Sequence, residues 1–394
     1  MTLSKGFRNL GHEGLRLFFV VSAFHLALWP LFWVVVQGFD LPFESDIPAS
    51  IWHAHEMLVG GFGAALIGFI TTAVPEWTDT PTLRNRPLYV LLGLWAVARC
   101  VGLLAWDNMI GLAAVADLAW MLTLIVYLTA LSRQRRTDRL LGFLFWLGSL
   151  AFCEAGARFY MLVDNLERLQ TFTQALGFVF LGLLAIALGR ITVPVTNLVL
   201  DPSEKTSPFR PHPGRLNLAA GLVWVAMVCE LLGTSESVRG FLWIAAGAGY
   251  MDRLAESFVG RAFFRAEIVV LWAASLLTGI GLLLLGASYL GTNIASISGL
   301  HVATMGGAGF GIIAVFTTAG LLHTDHTFPF PAVIWLVMIC LLISVGLRVG
   351  PDLGLFSHPF HAPYALASII WSTTFAIWLG RFLPILTGNP NDAQ

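Results

Sequence analysis

Apolar runs long enough to cross a bilayer alternate with short polar connections along almost the whole chain. A helix needs about 20 mostly apolar residues to span the hydrocarbon core. By that rule the runs fall at roughly 15–36, 52–74, 87–106, 109–131, 139–162, 172–195, 215–233, 238–256, 264–290, 298–322, 329–348 and 361–386. They predict an all-α polytopic membrane protein with about twelve transmembrane helices, forming a single transmembrane domain over residues 1–394. The eighth run is the least regular, with Asp252, Arg253 and Glu256 towards its end. The connections leave no room for a separate soluble domain. The longest polar one is rich in proline and predicts a cytoplasmic linker over 201–214, between possible halves 1–200 and 215–394. No convincing sequence repeat relates the two halves.

Charge orients this pattern. Only 11% of residues are charged and 57% are hydrophobic, against about 25% charged in a soluble domain. One set of connections carries Arg84 and Arg86; Arg133, Arg135, Arg136 and Arg139; Lys205, Arg210 and Arg215; and Arg253, Arg261 and Arg265. The opposite set carries Arg168, Arg239 and Arg348, and its first loop is acidic, with Asp40, Glu44 and Asp46. Positive connections stay cytoplasmic, so both termini are expected inside. Lys5 and Arg8 precede the first run with no small-residue cleavage site after it, which predicts a first transmembrane helix. A net charge of −1 points to no nucleic-acid partner. Cys100, Cys153, Cys229 and Cys340 lie in apolar segments without C-x-x-C spacing, as small core residues do.

Ionisable side chains inside spans are costly and tend to mark sites. His53, His55 and His301 begin two glycine-rich spans at similar expected depth, and imidazole is a common metal ligand. At about 100° per residue, His53 and His55 point to nearly opposite faces of a helix. They then suit two adjacent centres, or one ion if the turn after Pro48 is irregular. One buried and one interfacial histidine is the plainer alternative. Glu56 is beside them and could move protons or orient a ligand histidine. The glycines after each histidine could pack helices closely or leave a flat wall for a porphyrin. His25 lies mid-span, as a ligand or proton relay. His323 is expected roughly 33 Å from His301, at about 1.5 Å per residue. It could serve an inner site with His12, or end its helix in solvent together with His326. His358 and His361 flank a turn. Arg99, Asp117, Glu154, Arg158, Arg190 and Glu230 also fall in or near spans. Glu154 and Arg158 are spaced for an intrahelical pair, while Arg99, Arg158 or Arg190 could bind haem propionates. Pro75 and Pro194 are expected to end their helices. No Walker A loop, strand–helix G-x-G-x-x-G or G-x-S-x-G elbow is present.

The stretch WHAHEMLVGGFGAALIGFITTAVPEWT (52–78) resembles the signature of the NnrS family. LGRITVPVTN (188–197), HVATMGGAGFGIIAVFTTAGLLHTDH (301–326) and the tail RFLPILTGNPND are similar to further segments of that family. The likeness spans nearly the whole chain. It implies a bacterial inner-membrane, multi-pass protein holding haem b and copper, linked to nitric oxide, denitrification and nitrosative-stress defence. The positions it carries over are His53, His55, Glu56, Arg190, His301 and His323. After His323 the chain reads Thr324-Asp325-His326, where the family pattern is closer to Thr-Gly-Arg. Haem–copper oxidases offer a local analogy, since an H-x-H there serves two haems.

The resulting expectation is a buried centre built by His53, His55 and His301, with His25 as a possible fourth ligand, His323 as a further candidate metal ligand, and Arg190 binding the cofactor. Nitric oxide or a related small molecule would be the ligand, the lipid bilayer the surroundings, and a membrane redox protein a possible partner. A proton-coupled transporter using the same histidines, and a haem or copper maturation factor, are the alternatives.

Overall fold

The computed structural model describes residues 9–38, 47–215, 217–356 and 362–388. Asp40, Glu44, Asp46, Lys5, Arg8, His358 and His361 lie outside them. Among the described residues there is helix and no strand. The helices are α1 (Gly14–Gly38), α2 (Ala49–Thr78), α3 (Arg86–Leu104), α4 (Ile110–Arg135), α5 (Leu141–Leu162), α6 (Leu166–Leu200), α7 (Leu218–Leu231), α8 (Glu236–Asp252), α9 (Ala266–Tyr289), α10 (Ser296–Leu322), α11 (Val333–Val349) and α12 (Ala362–Thr387). Nine helices among the described residues are long and apolar enough to cross a membrane, so the chain is an all-α polytopic membrane protein. Apolar side chains such as Phe24, Val115 and Val126 are exposed on the outer helix faces, where lipid would cover them.

The chain packs as two compact units, residues 1–177 with 379–394, and residues 178–378. In the first unit, α2 is the most buried span, packed against α1 and α4. In the second unit, α10 is similarly buried against α9.

Both buried spans are interrupted. α2 runs as α-helix over Ala49–His55, π-helix over Glu56–Phe62, then α-helix over Gly63–Thr78. α10 repeats the arrangement over Ser296–His301, Val302–Ala308 and Gly309–Leu322. A π-turn carries an extra residue and loosens the backbone ladder, which is common at functional sites. In α2 the disturbed carbonyls have outside donors: Ser22 Oγ donates to Gly61 O at 2.7 Å, Trp95 Nε1 to Gly60 O at 2.9 Å, and His25 Nε2 to Glu56 O at 3.0 Å. Buried carbonyls need such partners.

The glycines of the π-segments let neighbouring helices approach closely. A Cβ on Gly60 would lie 2.5 Å from His25 Nε2, and one on Gly306 would lie 3.1 Å from Leu277 Cβ. Their faces are filled by side chains, as the packing reading expected.

Pro75 and Pro194 do not end their helices. α2 continues past Pro75 to Asp79, whose left-handed backbone (φ 48°) ends it, and α6 continues past Pro194 to Leu200. A proline removes one donor but keeps helical φ, and packed neighbours allow a membrane helix to run on.

Candidate functional site

The first unit gathers five helices' worth of polar side chains around the π-segment of α2. His55 and Glu56 come from α2, Arg99 from α3, Asp117 from α4, and Glu154 with Arg158 from α5; His25 approaches from α1. His55, Glu56, Asp117 and Glu154 are fully buried, and Arg99 and Arg158 nearly so. Asp117 Oδ2 accepts from Arg99 Nη2 at 2.7 Å and from Arg158 Nη2 at 2.6 Å, while its Oδ1 accepts from Trp120 Nε1 at 3.0 Å. Arg158 Nε donates to Glu154 Oε1 at 2.8 Å, and Arg99 Nε pairs with Glu56 Oε2 at 3.2 Å. His55 closes the ring: Nδ1 faces Glu56 Oε1 at 3.3 Å and Nε2 faces Glu154 Oε2 at 3.0 Å.

Carboxylates can only accept, so His55 bonds both of them only with a proton on each nitrogen. Three carboxylates then balance two guanidiniums and one imidazolium. A closed, neutral network is the form in which so many charges tolerate burial.

His55, Asp117 and Glu154 place ligand atoms within 4.8 Å of one another, a group able to hold a metal ion. The same oxygens already receive two guanidiniums, so an added cation would sit against fixed positive charge. As an axial haem ligand His55 does not fit, because both its nitrogens face carboxylates. Arg99 and Arg158 are likewise engaged with carboxylates rather than presented to propionates. The expected intrahelical Glu154–Arg158 pair is present, as one edge of this larger network.

His53 is half-buried and stacks on Trp33 with ring centroids 4.8 Å apart, away from the His55 network. His25 Nε2–H donates to the Glu56 carbonyl, which leaves the ring's lone pair on Nδ1; the ring also stacks on Trp29 at 5.8 Å and meets Trp95 edge-on at 5.5 Å. His301 belongs to the second unit, where its Nδ1–H donates to Ile297 O at 2.8 Å. That bond fixes the orientation of the ring, as such bonds do for ligand histidines. His25 thus keeps Nδ1 for a ligand, where both nitrogens of His55 are engaged.

Nearby, Asp352 takes hydrogen bonds from Tyr364 Oη at 2.5 Å and Arg348 Nη1 at 2.8 Å. Burial raises its pKa, but Tyr364, Arg348 and the His301 ring outweigh this and hold the carboxyl below its usual range. Arg190 is exposed on α6, and His323 is half-buried where α10 ends. Both belong to the second unit, and His12 to the first.

Trp95, Trp120 and Ser22 were not foreseen as part of the site. A buried charge of each sign on successive spans was the signal for the network, but sequence does not show which pairs meet. The family model described as NnrS protein matches residues 9–389. A search of curated proteins finds no match.

Proposed function

The chain belongs to the NnrS family, and from that premise we propose that it is a haem- and copper-binding protein of the bacterial inner membrane that binds or converts nitric oxide in defence against nitrosative stress. The observation that carries this reading is a histidine at the start of each interrupted, glycine-rich span, His55 in α2 and His301 in α10. His301, its Nδ1–H anchored on the Ile297 carbonyl, is the residue that would hold iron. When bound, haem would supply the iron that ligates nitric oxide. The residues of the chain do the rest. The turn Ile297–His301 fixes the imidazole plane. His25, held by the Glu56 carbonyl, offers Nδ1 to a second metal such as copper. Glu56 fixes His55 through its side chain and His25 through its carbonyl, a positioning role. A membrane redox protein would be the electron partner.

The test is an optical spectrum of purified protein, oxidised, reduced, and reduced with nitric oxide, with metal analysis on the same sample. A Soret band that shifts with nitric oxide supports the reading. Protein made with ample haem and copper that contains neither refutes it.

The neutral ionic network inside the span region of α2–α5 favours one other reading, a proton-coupled transporter. Proton-dependent solute uptake by metal-free protein in vesicles would select it.

A further inference from the structure

The second unit contains a counterpart of the first unit's α1–α4. Residues 49–73 and 295–319 both read Ala-Ser-Ile-x3-His-x4-Gly-Gly-x-Gly-x3-Ile-x3-Thr-Thr-Ala, with no gap. Both change from α to π immediately after the shared histidine and back at the shared Gly63 and Gly309. Such a shared irregularity is more specific than a shared helix, because π-turns are rare.

The neighbours match as well. Gly60 and Gly61 face consecutive residues of α1, His25 and Leu26; Gly306 and Gly307 face consecutive residues of α9, Leu277 and Thr278. Gly63 packs on the buried Trp120 of α4, and Gly309 on the buried Trp371 of α12. On the third helix of each set, Trp95 meets the π-segment of α2 and Leu341 touches Gly309, at positions the same distance along the chain from the glycines. Thus α9 answers to α1, α10 to α2, α11 to α3 and α12 to α4.

On this register Glu56 answers to Val302, Arg99 to Val345 and His25 to Leu277. The contacts follow. Glu56 Oε2 lies 3.2 Å from Arg99 Nε and 3.7 Å from His25 Nε2, and Val302, Val345 and Leu277 pack in one apolar cluster. The same three places meet in both copies, as polar groups in one and as aliphatic side chains in the other. The second copy does carry an arginine on α11, but one turn further on. Arg348 stands at the place of Gly102 and pairs with Asp352 at 2.8 Å, near the end of its helix. In the first copy that space belongs to the acid, since a Cβ on Gly102 would lie 2.5 Å from Glu56 Oε1.

The π-segment therefore forms without a Glu–Arg pair. The second copy makes it with valine at both places and with the same glycine–tryptophan contact. Apolar side chains of good fit often match or better a buried ion pair, so the pair brings the fold little. Ionisable groups kept inside a span serve a site. Here the carboxylate lies behind the His25 ring, on the Nε2 side. A carboxylate so placed favours Nε2–H and strengthens Nδ1 as a donor to a metal. Arg99 holds that carboxylate in place and is itself tied to Asp117.

We infer that the Glu56–Arg99 pair serves the His25 site and not the fold: both are positioning residues for an imidazole that ligates a metal. This rests on the reading of His25 as a metal ligand given above.

The experiment uses full-length wild type, Glu56→Val, Arg99→Val, the double variant and His25→Leu, each purified in detergent. Unfolding is followed in mixed micelles of rising denaturing detergent. Cuprous ion is titrated against a competing chelator. Each single variant strands a buried charge and is expected to lower the folded-to-unfolded ratio by about a hundredfold or more. The double variant copies the valines of the second copy, and Asp117 keeps Arg158 and Trp120. Its ratio is expected within about tenfold of wild type. It is expected to bind cuprous ion about ten- to a hundredfold more weakly, and His25→Leu to lose the site. A double variant whose loss of stability equals the two single losses combined overturns the inference. So does one that folds and binds cuprous ion as wild type does. Wild type that binds no cuprous ion, or His25→Leu that binds it unchanged, refutes the metal reading of His25 and the positioning role with it.

Discussion

Replacing Asp117 with asparagine is the sharpest perturbation of the buried network. The substitution keeps size and leaves an oxygen for Trp120 Nε1. It removes the charge that two guanidiniums share at 2.7 and 2.6 Å, and can present an amide donor to them instead. Arg99 and Arg158 then face each other where almost no solvent reaches. Breaking a buried ion pair from one side costs about 3–5 kcal/mol, because a charge is left uncompensated. At about 1.4 kcal/mol per tenfold, the folded-to-unfolded ratio falls by roughly two to three and a half orders of magnitude. The assay is equilibrium unfolding in mixed micelles of rising denaturing detergent. Asp117→Asn, Arg99→Met and the double variant should be compared. The double variant removes one charge of each sign, so it should recover much of the loss in a mutant cycle. An Asp117→Asn loss under about 1 kcal/mol, the range of exposed pairs, would refute the reasoning. So would a double variant whose loss equals the sum of the singles.

Gly60→Ala places a methyl against His25 and should cost about 1–3 kcal/mol by overpacking, read in the same unfolding assay. Trp95→Phe keeps an aromatic ring but removes the donor to the Gly60 carbonyl, and should cost about 1–3 kcal/mol if no water replaces it. Asp201, held down to about 2 by the hydroxyls and amides of Ser203 and Thr206, organises its turn. Its depressed pKa means the turn is intact at neutral pH and lost only as pH falls through about 2. Asp201→Ala should therefore speed hydrogen exchange at the Ser203 and Thr206 amides at pH 7.

The helices were legible because a bilayer demands long apolar runs, and the described elements fall on the expected ones. The opposed directions of His53 and His55 were legible too, since helical geometry alone fixes them, and one stacks on Trp33 while the other enters the network. What Arg99 and Arg158 bind was not, because their partner Asp117 is on a third helix and only packing brings it there. The relation between α1–α4 and α9–α12 was hidden for a similar reason. One helix in four retains a shared motif, and the others share only the places where glycine, tryptophan or leucine must fit. Comparing the halves on either side of 201–214 also set the wrong frames side by side: the repeated units are separated by α5–α8.

The π-turn also sets the phase of everything after it. One extra residue in a helix turns the remainder of the rod by about 100°. The Thr71 and Thr72 hydroxyls, bonded to Ile67 O and to the Leu15 amide, face as they do because the seven residues from Glu56 to Phe62 are all present. Deleting one residue, Val59 for example, would let the segment relax to ordinary α-helix and rotate that whole face away from α1. Length between the histidine and the threonines is therefore as constrained as identity, and α2 tolerates substitution there more readily than any insertion or deletion.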